Sequence, residues 1–152
     1  MKNEILQVIT GAIGTVGFGI LFNIRGKRLV AAAIGGLLSW SMFLLLRLVI
    51  SSEPVCYFLV AVVISLYAEI LAIRMRTPTT TFITTSLLPL IPGGGLYYTM
   101  AYAFSDDGTK FAQRGIETLL LASALALGII VVATFSKSMR KIQKRRRQAL
   151  HA

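Results

Sequence analysis

Long apolar runs, separated by short charged or polar stretches, dominate the chain. A run of about 20 apolar residues is long enough to cross the roughly 30 Å hydrocarbon core of a bilayer as a helix. Five such runs predict membrane-spanning helices at approximately 5–24, 29–50, 54–73, 79–104 and 116–136. The first run lacks the leading charge and cleavage site of a signal peptide, so we interpret it as a retained helix. The pattern predicts an all-α integral membrane protein with a five-helix bundle over 1–136 and a basic tail over 137–152.

The composition agrees with this interpretation. Hydrophobic residues make up 55% of the 152 residues and charged residues only 14%, and the mean hydropathy is +0.74. A soluble domain of this size has about a quarter of its residues charged. Soluble globular classes are therefore excluded.

The net charge of +10 is unevenly placed along the chain. Twelve of the 16 Lys and Arg residues lie in the stretches 25–28, 74–76 and 137–147, which share one side if five helices alternate across the bilayer. Cytoplasmic loops of membrane proteins carry the excess of Lys and Arg. We therefore predict an outside N-terminus and a cytoplasmic C-terminus. The tail is an orientation signal or binds anionic lipid headgroups, and no nucleic-acid partner is expected.

The residues that support enzyme chemistry are scarce. There is one cysteine, Cys56, and one histidine, His151, and no Ser/His/Asp set, metal-ligand cluster or phosphate-binding loop is present. We expect no catalytic residues, no metal and no cofactor.

Small residues recur at the spacing of one helix face, which allows close helix packing inside lipid. The stripes are Gly11/Thr15/Gly19, Ala31/Gly35/Ser39 and Ala124/Gly128. Five helices are few to enclose a transport route, so we expect association with another subunit or with a second copy of the chain.

The fourth run is interrupted by Pro89, Pro92 and three glycines. Proline removes a helical hydrogen bond and glycine has little helix preference, so we predict a helix broken at Pro89–Gly95, near the bilayer midplane. Broken helices form binding sites in many secondary transporters, because the second half-helix directs free amides at an anion. Here those amides belong to residues 93–96. The predicted substrate is a small polar solute with a carboxylate.

Hydroxyl groups surround the predicted break. The substrate-binding candidates are Thr81, Thr84, Thr85, Pro89, Pro92, Gly93, Gly94, Gly95, Tyr97 and Tyr98. The alternative is a proline kink whose hydroxyls bond to backbone carbonyls.

Two further polar residues are candidates. Glu69, the only acid within a predicted span, is a proton carrier or a partner for a substrate ammonium, or it pairs with Arg25, Arg74 or Arg76. Asn23, at the inner end of the first span, lines a pore or ends a helix.

Three stretches resemble the small membrane subunit of the threonine/serine exporter family. They are 17–23 (GFGILFN), 68–72 (AEILA) followed by Thr77-Pro78, and 89–100 (PLIPGGGLYYTM). The resemblance implies a multi-pass subunit of a secondary exporter of threonine and serine in the bacterial cytoplasmic (inner) membrane. It also implies a larger partner subunit with five spans and a cytoplasmic domain. Two alternatives stay open: export of dicarboxylates such as succinate, and a scaffold subunit that does not itself transport.

Overall fold

The computed structural model describes residues 2–105 and 107–149, with side chains over 5–105 and 107–139, and every regular element there is helical. The prediction of an all-α protein is confirmed. A short 3₁₀ turn at Leu88–Leu90 lies between α4 and α5. The helices are α1 (Lys2–Leu21), α2 (Lys27–Val49), α3 (Glu53–Met75), α4 (Thr79–Ser86), α5 (Gly93–Phe104) and α6 (Gly108–Ala149).

Three of the described helices are long and apolar enough to cross a membrane, judged by length and composition. They are α2, α3 and the Gly108–Met139 part of α6. In α1 the apolar stretch is shorter, Ile5–Leu21. Because α4 and α5 have 8 and 12 residues, neither alone reaches across a hydrocarbon core. The count of five crossings stays a prediction.

Helix α1 ends at Leu21, three residues before the end of the predicted run, because Asn23 adopts a left-handed conformation with φ of 56°. The Ile24 amide donates to the Gly19 carbonyl and the Asn23 amide to the Ile20 carbonyl, both at 2.9 Å. This pair of bonds is the Schellman motif that closes many helices.

Helix α6 begins at Gly108, eight residues before the predicted fifth span. Asp107 caps it: one carboxylate oxygen accepts a hydrogen bond from the Lys110 amide at 3.1 Å, and the other lies 2.8 Å from the Lys110 ammonium. The side-chain bond to Lys110 holds the pKa of Asp107 below its usual value. The predicted basic tail continues the same helix to Ala149, and residues 150–152 lie outside the described residues.

The predicted small-residue stripes lie at helix contacts. Thr15 of α1 packs against Gly36 of α2, and Ser86 of α4 packs against Gly35, where a Cβ atom would overlap the serine side chain. The main core forms where α2, α3, the 3₁₀ turn and α6 meet. Its best-buried members are Phe43, Cys56, Tyr57, Val60, Ala61, Ile64, Leu87 and Leu90.

Helices α5 and α6 form an antiparallel hairpin. Gly95 lies beside Thr118, and Thr99 lies beside Gly115 one helical turn further along. Helix α5 packs almost entirely on α6, and none of its twelve residues is buried.

This hairpin projects past the start of α3. Helices α3 and α6 run in the same direction with Gly128 against Ala61, and Glu53 and Leu120 line a common cavity. The first 12 residues of α6 therefore extend beyond α3 by about 18 Å at 1.5 Å per residue. The predicted fourth span therefore consists of two helices. Helix α4 lies beside α2 and α3, and α5 lies in the hairpin that projects beyond the start of α3.

Candidate functional site

The polypeptide between α4 and α5 is irregular over residues 87–92. After the 3₁₀ turn, Ile91 is extended, and Pro92 with φ of −74° and ψ of 59° is the centre of an inverse γ-turn. That turn is closed by a 2.6 Å hydrogen bond from the Gly93 amide to the Ile91 carbonyl. The irregular segment, 87–92, therefore begins and ends earlier than the break that was predicted at Pro89–Gly95. The three glycines form the first turn of α5, where amides need no partner within the helix.

Two of the four amides that were expected to be free are already bonded. The Gly93 amide closes the γ-turn, and the Leu96 amide donates to the Pro92 carbonyl at 3.0 Å. The Gly94 and Gly95 amides form no hydrogen bond to any described residue. The start of α5 thus presents two free donors at the positive end of the helix dipole.

Gly94 and Gly95 line a cavity of about 580 Å³ at the base of the α5–α6 hairpin. The break supplies one wall, the start of α3 a second and α6 a third. The lining residues are Trp40, Glu53, Pro54, Tyr57, Pro89, Ile91, Pro92, Gly93, Gly94, Gly95, Arg114, Glu117, Thr118, Leu120 and Leu121.

The break slants from the interior to the end of the bundle. Pro89 lies against Gly11 near the middle of α1, and it lines the same cavity as Gly94, Gly95 and Glu53, the first residue of α3. Only the first part of the break is therefore near the centre of α1–α3, because α4 is only 8 residues long and the residues after the 3₁₀ turn are extended.

Three charged side chains line this cavity. Arg114 and Glu117 are one turn apart on α6, with Nη1 3.0 Å from Oε2. The Glu53 carboxylate lies 3.7 Å from Nη1 of Arg47, which is at the end of α2. The three-residue spacing of Arg114 and Glu117 is visible in the sequence, but the predicted fifth span began after Arg114. Only the tertiary packing brings both residues to Glu53 and the glycines.

The predicted threonines do not lie in the glycine-lined cavity. Thr81 and Thr84, with Thr80, line a second cavity of about 270 Å³ near Phe22 and Ile24. The Thr85 hydroxyl is buried and donates to the Thr81 carbonyl at 2.8 Å. Thr85 thus follows the alternative of a hydroxyl that donates to a backbone carbonyl of its own helix.

The remaining candidates line neither cavity. Tyr97 and Tyr98 are 69% and 55% exposed on α5, with ring centroids 5.4 Å apart. Glu69 is partly buried on α3. Asn23 is exposed and ends α1. The sequence candidates thus divide among two cavities, the end of α1, the surface of α5 and, for Glu69 and Thr85, positions on α3 and α4 outside both cavities.

Two buried polar atoms beside the break have no hydrogen-bond partner among the described residues. They are Nε1 of Trp40, which lines the larger cavity, and Oγ of Ser86, the last residue of α4. An unpaired buried polar group costs about 1–3 kcal/mol. The two side chains therefore leave unpaired polar atoms beside the break.

Comparison with known proteins identifies a family. The family described as "Threonine/Serine exporter, ThrE" matches residues 7–135, a range that includes the break and both cavities. No curated protein and no solved structure matches the chain. The family is one of transporters and not of enzymes, and with several helices of spanning length the chain is a multi-pass membrane protein. The resemblance seen in the sequence is confirmed: the chain belongs to the threonine/serine exporter family.

Proposed function

We propose that the chain is a subunit of a secondary transporter that exports threonine and serine across the bacterial cytoplasmic membrane, with the substrate carboxylate bound at the start of α5. The observation that carries this proposal is that Gly94 and Gly95, whose amides are unbonded among the described residues, line a cavity together with Arg114. The family match supports the transport role.

A carboxylate suits these groups for two reasons. The free amides and the positive dipole end of a helix attract an anion. The Arg114 guanidinium adds charge-assisted hydrogen bonds, which are about twice as strong as neutral ones. Arg114 is 55% exposed and engages Glu117 with Nη1, so its other nitrogens are available to a substrate.

The size of the cavity also suits a ligand. Ligand pockets commonly have volumes of about 300–1,000 Å³, and this one is about 580 Å³. Its lining combines apolar side chains with a small number of polar groups, the usual composition of such a pocket.

The proposal includes a membrane arrangement and a partner. We infer five crossings with the N-terminus outside, and a larger five-span partner subunit that completes the transport path. The charge distribution supports the orientation. The small residues and the apolar surface of α5 support association with that partner or with a second copy.

Replacing Gly94 by leucine tests the site. A Cβ atom at Gly94 meets nothing within 4 Å, so we expect the variant to fold but to lose most threonine export, because the side chain occupies the wall where the carboxylate binds. Export of labelled threonine, serine and succinate is measured in vesicles made from cells that express the full chain. The matched control is Gly17→Leu on α1, where a Cβ atom also meets nothing within 4 Å.

Each result discriminates between the hypotheses. Loss of threonine export in Gly94→Leu but not in Gly17→Leu supports the proposal. Unchanged export in both variants indicates a scaffold subunit, with the substrate path in its partner. Export of succinate but not of threonine by the parent chain indicates a dicarboxylate carrier.

A further inference from the structure

We propose that Glu53 and Glu117 bind the ammonium group of the substrate and so select amino acids over dicarboxylates. This inference rests on the proposed function, because it concerns the cavity in which the substrate carboxylate binds. Neither residue was a candidate from the sequence; the fold brings both to the cavity that the glycines also line.

The charges of the cavity favour a ligand that carries a positive group. Its lining contains two carboxylates, those of Glu53 and Glu117, and one guanidinium, that of Arg114. These lining side chains give a net charge of −1 when all three are ionised; the Arg47 guanidinium, 3.7 Å from Glu53, is not among the lining residues. An amino acid is neutral overall as a zwitterion, whereas succinate carries two negative charges.

Both carboxylates are available to a ligand. Their side chains are 42% exposed in Glu53 and 46% exposed in Glu117. Glu53 pairs with Arg47 at 3.7 Å, a separation that is longer than a hydrogen bond. Glu117 accepts bonds from Gln113 and Arg114, yet each of its oxygens has a second lone pair.

The two ends of the substrate have different partners in this arrangement. The substrate carboxylate accepts hydrogen bonds from the Gly94 and Gly95 amides and from Arg114. The substrate ammonium donates to the Glu53 and Glu117 carboxylates. The second carboxylate of a dicarboxylate would instead approach Glu53 and Glu117. Like charges placed together across a binding surface disfavour a wrong ligand, so the acids attract one class and repel the other.

The experiment compares threonine with 3-hydroxybutyrate, which has the same carboxylate and hydroxyl but no ammonium. Equilibrium binding of both labelled ligands is measured on the full chain in lipid nanodiscs. The proteins are the parent, Glu53→Gln, Glu117→Gln and the double variant. The control is Asp107→Asn, which removes an acid from the same end of α6 outside the cavity and retains a side chain able to cap the helix.

We expect threonine to bind the parent about 10- to 100-fold more tightly than 3-hydroxybutyrate, the range for a hydrogen-bonded charge pair. In the double variant threonine should bind more weakly, whereas 3-hydroxybutyrate, a net anion, should bind at least as tightly as it does to the parent, so the preference for threonine should disappear. Succinate should displace the labelled ligand from the double variant at a lower concentration than from the parent. Asp107→Asn should behave as the parent does.

Two results overturn the inference alone. One is equal weakening of both ligands in the double variant, which indicates a structural effect of the acids. The other is unchanged threonine binding in the double variant. A parent chain that binds neither ligand overturns the proposed function as well, so the two failures are distinguishable.

Discussion

Gly128 sets the distance between α3 and α6, and replacing it by alanine tests the packing described above. A Cβ atom there would lie 2.6 Å from the Ala61 Cβ, 2.8 Å from the Phe58 carbonyl oxygen and 3.2 Å from the Val62 amide nitrogen. Two of these atoms are backbone, so no side-chain rotation relieves the overlap. The helices must separate by about 0.8 Å to restore a 3.4 Å contact with Ala61.

The magnitude follows from two opposing effects. Overpacking of a well-packed contact costs about 1–3 kcal/mol. Alanine in place of glycine within a helix gains about 1 kcal/mol. Gly17→Ala has the gain without the overlap, because nothing lies within 4 Å of its Cβ position. We therefore expect Gly128→Ala to be less stable than Gly17→Ala by about 1–3 kcal/mol.

The measurement is reversible unfolding of both variants in detergent micelles, followed by far-ultraviolet circular dichroism. Adding Ala61→Gly to Gly128→Ala should restore part of the stability. It removes the Cβ–Cβ overlap but leaves that with the Phe58 carbonyl. If Gly128→Ala proves as stable as Gly17→Ala, the close α3–α6 contact is refuted.

Two further predictions concern helix ends. Because Asn23 has φ of 56°, Asn23→Gly should keep the stability of the parent in the same unfolding assay, and Asn23→Val should lose about 1–2 kcal/mol. Loss of export in the stable Asn23→Gly variant would show that transport needs the side-chain amide itself. Asp107→Ala should melt at a lower temperature than Asp107→Asn at pH 7, because only asparagine can cap α6. The pKa of Asp107 is lowered in the folded chain, chiefly by its side-chain bond to Lys110, so the stabilisation is present above the usual value of 3.8 and is lost as the pH falls through the lowered pKa. Melting curves at pH 7 and at acid pH should show the gap between the parent and Asp107→Ala shrinking, and a constant gap would contradict the charged cap.

The sequence predicted the helices well because their signals are local. Apolar runs gave the positions of α2 and α3, and the two prolines predicted an interruption between α4 and α5. The stripes at Gly35 and Gly128 predicted close contacts, and both positions lie at such contacts. Helix ends were less accurate, because a left-handed Asn23 and a capping Asp107 each act through one residue.

The site was predicted only in part because most of its polar lining comes from distant segments. The glycines at 93–95 were candidates on their own, as a helix start after a proline. Glu53 and Arg114 became relevant only when α3 and α6 packed in parallel with a register that places both beside the break. No local pattern specifies that register. The threonines Thr81 and Thr84 do not line the glycine cavity, because α4 ends before the break and these residues line the cavity near Phe22 and Ile24.

The weak anchoring of α5 affects the order in which the molecule loses structure. Helix α5 has no buried residue and packs almost entirely on α6, whereas α3 buries residues such as Val60, Ala61 and Ile64 completely or nearly so. Local unfolding begins where few apolar contacts hold a segment. Amide protection should therefore be lowest along α5 and highest in α3. We therefore expect the glycine-lined side of the cavity to lose structure before the core between α2, α3 and α6 does.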